Sequence, residues 1–204
     1  GWFELHAKYG KLPMSRVLAP AIRYAEEGFP LSPVIAGDWE RSTRVFADKP
    51  GFREVFMPGG RAPREGEQFR NPALAKTLRL LAAKGRDAYY RGPISEAIVR
   101  FSQANGGFFA KGDFARHHST WDEPISTDYH GVTLWECPPN GQGLAALQLL
   151  NLLESFDLKA MGRESADFWH AFVEAKKLAF ADRARYYADP AFAKVPVAEL
   201  LSKD

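Results

Sequence analysis

The segment Pro138–Gly143, PPNGQG, ends a strand-like run and opens an apolar helix, and its residue types could do chemistry. Asn140, Gly141, Gln142 and Gly143 let backbone approach a bound group closely. The helix that follows presents free N–H groups with a partial positive charge, which suits an anion or an oxyanion. The competing reading is a strand-to-helix joint in which two prolines end the hydrogen-bond ladder. No Lys-Ser/Thr pair follows, so the turn is not a phosphate-binding P-loop. On spacing alone the joint is the stronger reading.

Three other groupings hold reactive side chains. His170 and Glu174 stand four apart in HAFVEAKKLAFADRARYYADP, on one helical face. A zincin needs a second His at that distance and a Glu beside the first. Here those positions are Glu174 and Ala171, so a helix-surface pair is expected and metal chemistry is not. Asp182, Arg183 and Arg185 on the same helix are expected to make charge-assisted bonds to other segments. His117 and His118 are adjacent, so their side chains diverge and one metal cannot take both. Ser119 and Thr120 follow them, but no Gly-x-Ser-x-Gly elbow surrounds any serine. The single cysteine, Cys137, excludes an intrachain disulfide and a Cys-based zinc site, and is read as a buried small hydrophobe.

Helices must position these groups. MSRVLAPAIRYAEEGFP is read with Ser15 as cap, Val17, Leu18, Ile22 and Ala25 as an apolar face, Pro20 near the first turn and Gly28 as the stop. Ser32-Pro33 and Asn71-Pro72 repeat the cap-then-proline start, and Leu74, Leu78 and Leu81 form a stripe that Gly85 ends. Gly92-Pro93 opens a helix with Ile94, Ala97, Ile98 and Phe101 on one face, ended by Asn105-Gly106-Gly107. The Gly, Pro and charge-rich stretch from Gly51 to Phe69 reads as a surface loop. PISTDYHG and VTLWECPP alternate and are β-branched or aromatic, so an antiparallel hairpin near 124–138 is expected, with His130-Gly131 between the strands. Helices from about Gly143 to Phe156 and from Ser165 to about Tyr187 complete the chain.

The fold class is therefore α+β, predominantly α-helical with a small antiparallel hairpin, and 204 residues are read as a single domain over 1–204. A net charge of +2 with interspersed Lys, Arg, Asp and Glu gives no basic stripe for nucleic acid. No run of about eighteen apolar residues spans a membrane. The opening GWFELHAKYGKLP lacks the pattern of a signal peptide, and both ends read as cut in mid-domain.

The order of segments resembles the gamma-glutamyltransferase (gamma-glutamyltranspeptidase) family. The resemblance is carried by AKYGKLPMSRVLAPAIRYAEEGFPLS, NPALAKTLRLLAAKGRDAYYRGPISEAIV, NGGFFAKGDFA, YHGVTLWECPPNGQG, LQLLNLLESFDL and SADFWHAFVEAKKLAFADRARYYADPAFAKVPV. It implies an internal piece of the large subunit of an N-terminal-nucleophile hydrolase, an αββα fold whose precursor cleaves itself. The new N-terminal Thr of the small subunit then attacks the gamma-glutamyl amide, its own amine serving as base.

Thr43, Thr77, Thr120, Thr127 and Thr133 stand in none of the family's processing contexts, and the arginine that holds the glutamate carboxylate lies upstream of Gly1. The resemblance thus assigns no catalytic residue, no metal and no cofactor to this chain. It implies as partners the remainder of the large subunit, the small subunit of the same precursor and a small gamma-glutamyl substrate. It leaves the compartment open, since family members are often periplasmic or secreted. It also implies that Asn140, Gly141, Gln142 and Gly143 lie beside the substrate pocket. Many members carry a run of prolines followed by small residues where this chain has Pro138-Pro139-Asn140-Gly141-Gln142-Gly143, so the chain resembles the broader gamma-glutamyltransferase-like branch. Two alternatives stand beside this reading: a related amide acylase acting on cephalosporin-type amides, and a helical interaction module without chemistry.

Overall fold

A computed structural model describes residues 1–203. The chain forms two compact units, one of Gly1–Ser119 and one that begins at Thr120.

The first unit is built on helices. In order it holds α1 (Trp2–Tyr9), α2 (Met14–Glu27), β1 (Phe29–Pro30), α3 (Pro33–Phe46), α4 (Phe52–Phe56), a 3-10 turn at Pro58–Gly60, β2 (Gln68–Phe69), α5 (Pro72–Lys84), α6 (Asp87–Tyr90), α7 (Pro93–Ala104) and α8 (Lys111–Arg116). Its core is where α2 lies on α5. Leu18 and Ile22 meet Leu78 and Leu81, with Phe3, Met14, Tyr89 and Ile94 packed around them. Caps are where local chemistry puts them. Ser32 Oγ accepts the Ile35 amide, and Asn71 Oδ1 accepts the Leu74 amide at 2.9 Å.

Four local expectations in this unit are corrected. Pro13, with φ −62° and ψ 146°, caps α2 in place of Ser15, because its fixed φ already suits the residue flanking a helix start. Pro20 sits in the middle of α2, not near its first turn. The apolar faces are narrower than their patterns suggest: Val17, Leu74 and Phe101 are exposed, while Ala75 in α5 and Ser95 and Val99 in α7 are buried. The stretch from Gly51 to Phe69 is not a bare loop. It forms α4 and the 3-10 turn, and then returns to pair β2 antiparallel with β1, Phe29 opposite Phe69. An aromatic cluster holds it there, with the ring centroids of Trp39 and Phe69 4.5 Å apart and those of Trp39 and Phe56 5.8 Å apart. The Trp39 indole N–H donates to the Phe56 carbonyl at 2.8 Å.

The second unit holds the expected hairpin and the two expected helices. β3 (Ile125–Tyr129) pairs antiparallel with β4 (Val132–Glu136), from Ile125 opposite Glu136 to Tyr129 opposite Val132. The two-residue turn is His130-Gly131, both with positive φ (48° and 82°), as a type I′ hairpin requires. α9 (Gly143–Leu153), α10 (Leu158–Met161), α11 (Ala166–Tyr186) and α12 (Val197–Leu200) follow. α9 packs on β3 and α11. Leu144 and Leu147 are 0% exposed, and α11 turns a stripe of Ala171, Ala175 and Ala179 inward. Alanines four apart let two helices approach closely. Ser165 caps α11 by accepting the Phe168 amide at 3.1 Å. No helix among the described residues is long and apolar enough to cross a membrane.

Candidate functional site

The turn between β4 and α9 is built by close approach. A Cβ at position 143 would lie 2.7 Å from Glu136 Oε2 and 2.9 Å from the Cys137 carbonyl oxygen. Only glycine lets the helix start that near the strand end. The Gln142 carbonyl accepts the Ala145 amide at 3.0 Å and the Ala146 amide at 3.3 Å, while no side chain caps the helix. The Gly143 and Leu144 amides stand before the first intrahelical bond; Leu144 is buried, and Asn140, Gly141 and Gln142 are exposed ahead of them. Beside the turn runs an open groove lined by Pro138, Pro139, Pro190, Phe192, Val195 and Val197. Asp122, Glu123 and Lys194 are its charged lining residues.

Behind the turn, α9 carries two amides in an otherwise apolar run. Gln148 is 5% exposed. Its Nε2 donates to Asp182 Oδ2 at 3.0 Å, and its Oε1 accepts the Tyr187 hydroxyl. Asn151 Nδ2 donates to the Leu201 carbonyl at 3.0 Å, and its Oδ1 accepts the Thr127 hydroxyl at 2.6 Å. Burial, aided by the negative charge of Asp182, pushes the Tyr187 phenol up to about 12. A second set of bonds ties the hairpin turn to the end of α9. Glu154 accepts the His130 amide and the Lys203 ammonium, and the ammonium also donates to the Asp128 carbonyl. The Lys203 contact chiefly holds the Glu154 carboxyl below the usual range.

The other groups read from the sequence take structural places. Glu174 pairs with Lys177, at 2.8 and 3.0 Å, which holds its carboxyl low and leaves His170 a minor influence. Of Asp182, Arg183 and Arg185, only Asp182 is seen to bond another segment. The two arginines lie over Phe180 and Tyr186 of their own helix. His117 stacks on Tyr90 with centroids 4.9 Å apart, whereas His118 Nδ1 lies 3.3 Å from the Arg116 carbonyl, so the pair diverges. Cys137 is exposed and not buried. It falls just past the last paired residue, Glu136, where the two-stranded hairpin offers nothing to cover it.

Each threonine hydroxyl donates to a neighbour: Thr43 to the Glu40 carbonyl, Thr77 to the Ala73 carbonyl, Thr120 to Asp122, Thr127 to Asn151 and Thr133 to Asp128. Two of these acceptors, Asp122 and Asp128, are carboxylates, and none of the five acceptors is an imidazole or an amine. Among the described residues no cluster of His, Cys, Asp and Glu could hold a metal ion. A pocket of about 390 Å³ in the first unit, walled by Trp2, Leu74, Leu78, Leu81 and Tyr89, carries Arg86, whose guanidinium stacks on Tyr90 and donates to the His117 carbonyl. Thr77 and Glu4 also line it, and the Thr77 hydroxyl donates to the Ala73 carbonyl at 3.1 Å. The groups missed in the sequence are Gln148, Asn151 and Tyr187. Their signal is two amide side chains three apart inside LAALQLLNLL.

The same arrangement of elements occurs in solved enzymes. The chain superposes on a cephalosporin acylase from Bacillus halodurans with TM-score 0.90 and 42% identity, over 99% of this chain and 38% of that one. It superposes on a gamma-glutamyltranspeptidase from Pseudomonas nitroreducens, complexed with L-DON, with TM-score 0.91 and 35% identity, over all of this chain and 60% of that one. In sequence it is 39% identical to the glutathione hydrolase-like YwrD proenzyme of Bacillus subtilis, over 99% of this chain and 38% of that protein. The helical units and hairpin are thus a part of the N-terminal-nucleophile hydrolase fold shared by these transpeptidases and acylases. The gamma-glutamyltranspeptidase family model matches residues 1–204, and the chain belongs to that family. It spans well under half the length of the curated relative described above.

Proposed function

We propose that residues 1–204 are a portion of the large subunit of a gamma-glutamyltransferase or hydrolase that cleaves gamma-glutamyl amides such as glutathione. The nucleophile is an N-terminal Thr outside this chain, and residues 1–204 form no independent catalytic domain. The observation that carries this reading is the family match along the whole chain, combined with five threonines whose hydroxyls are all held in structural bonds. The partners of this portion are the remainder of the large subunit and the small subunit of the same precursor. In the assembled enzyme the turn Asn140–Gly143 borders the substrate pocket, where the exposed Asn140 and Gln142 side chains can meet a polar substrate.

The test is the whole precursor beside the chain of 204 residues, each assayed for release of anilide from a gamma-glutamyl anilide. The precursor should cleave itself and turn the anilide over, and the shorter chain should not. Turnover by the shorter chain, abolished by a substitution within it, would overturn the reading. A precursor carrying Asn140→Ala with Gln142→Ala should still cleave itself but show a changed KM or donor preference.

A second reading, an amide acylase, is favoured by the likeness to the cephalosporin acylase at 42% identity. Presenting the precursor with gamma-glutamyl anilide and a cephalosporin-type amide in competition separates the two.

A further inference from the structure

We propose that Gln148, with Tyr187 and Asp182, is a positioning group that sets the turn Asn140–Gly143 against the groove wall formed by Pro190, Phe192 and Val195. This rests on the reading that the turn borders the substrate pocket.

The geometry starts from a buried amide. A Gln side chain that is 5% exposed inside an apolar helix face is costly unless both its ends are bonded. Both ends are bonded here, to two residues of one neighbouring segment, Asp182 and Tyr187. Apolar packing alone cannot do the same task. The face that α11 turns to α9 is the row Ala171, Ala175 and Ala179, whose small side chains present a smooth track. Along such a track one helix can slide past another at little steric cost. A bidentate polar contact admits one register only.

That register is transmitted in two directions. Gln148 lies five residues after Gly143, about 7.5 Å along the helix axis. Between them Leu144 and Leu147 are 0% exposed, so the start of α9 moves with Gln148. Gly143 in turn touches Glu136 and Cys137, which fixes the far end of the turn. In the other direction, Tyr187 is the residue at which α11 ends. The segment that follows supplies Pro190, Phe192 and Val195, which line one groove together with Pro138 and Pro139. One hydrogen-bonded triple thus joins the two segments that line the groove, and its register sets their spacing.

The experiment uses the whole precursor carrying Tyr187→Phe, Gln148→Glu or Gln148→Leu, beside the turn variant Asn140→Ala with Gln142→Ala, on several gamma-glutamyl donors. Tyr187→Phe deletes one hydroxyl and keeps the ring. It should raise KM about three- to tenfold with kcat within about twofold, and self-cleavage should persist. Gln148→Glu places a second carboxylate against Asp182. As pH falls, the pair shares a proton that restores a donor to Asp182, so its KM relative to wild type should fall toward one. Gln148→Leu can fail to fold, and the other two variants then decide.

If the turn variant changes KM while Tyr187→Phe and Gln148→Glu keep the wild-type KM at every pH, the triple is only structural and the proposal fails, even if both variants melt earlier. If the turn variant is silent, the reading that the turn borders the pocket fails and this proposal falls with it.

Discussion

Glu136 and Gly143 are in direct contact across the β4–α9 turn, the carboxylate oxygen lying 2.7 Å from where a Cβ of residue 143 would stand. Alanine is preferred to glycine in a helix interior by about 1 kcal/mol, a preference that fades at the first residue, where Gly143 stands. A Cβ here would meet the Cys137 carbonyl at 2.9 Å and the Glu136 Cβ at 2.8 Å, neither of which can give way as a flexible tip can. Gly143→Ala should therefore destabilise the protein by about 1–3 kcal/mol. Urea unfolding checks it, and a variant as stable as wild type would show that the turn relaxes freely.

Leu147 is the test of where the second unit keeps its core. It is 0% exposed at the centre of α9. Leu147→Ala should cost about 2–5 kcal/mol, the loss of transfer energy plus the cavity left behind. The exposed Leu152 on the same helix makes the control, where Leu152→Ala should stay within about 1 kcal/mol.

Much of this was legible in the sequence because its signals are local. Ser32-Pro33, Asn71-Pro72 and Ser165 announce helix starts through bonds that span three residues. His130-Gly131 announces a hairpin through two positive φ angles. The pairing of β1 with β2 was not legible, because each strand is two residues long and about forty residues separate them. The aromatic cluster around Trp39 that stabilises this pairing exists only after folding. The turn Asn140–Gly143 could be named from composition, yet the reason for Gly143 lies in its approach to Glu136, which no spacing reveals. Gln148 looked like one polar residue in an apolar run until its two partners, thirty-four and thirty-nine residues away, were in place.

Tyr187 gives a prediction at alkaline pH. Its phenol rises from an ordinary 10.0 to about 12, because burial and then the Asp182 charge disfavour the phenolate. A group whose folded value is raised contributes stability that is complete below its unfolded value and fades as pH climbs through the folded one. The window is therefore from 10.0 to about 12. Phenolate absorbance should show a step near the upper end, coincident with loosening of α11, and Tyr187→Phe should remove that step. A Tyr187→Phe titration identical to wild type in this window would contradict the assignment.

The exposed apolar side chains of the second unit give the last prediction. Trp169 is 48% exposed, Leu178 59% and Trp135 62%, with Val173 and Phe180 also open, on the outer faces of α11 and β4. The row Ala171, Ala175 and Ala179 is buried, so α11 is apolar on more than its inward side. Apolar area of this kind is unfavourable in water and is relieved by association, at about 25 cal/mol for each Å² covered. A solution of this chain alone should therefore show an apparent mass that rises with concentration in light scattering. Trp135→Ser with Leu178→Ser should lower that rise and leave the melting temperature nearly unchanged, because both side chains are more exposed than covered. A wild-type chain that stays monomeric at high concentration would show that these faces do not drive association.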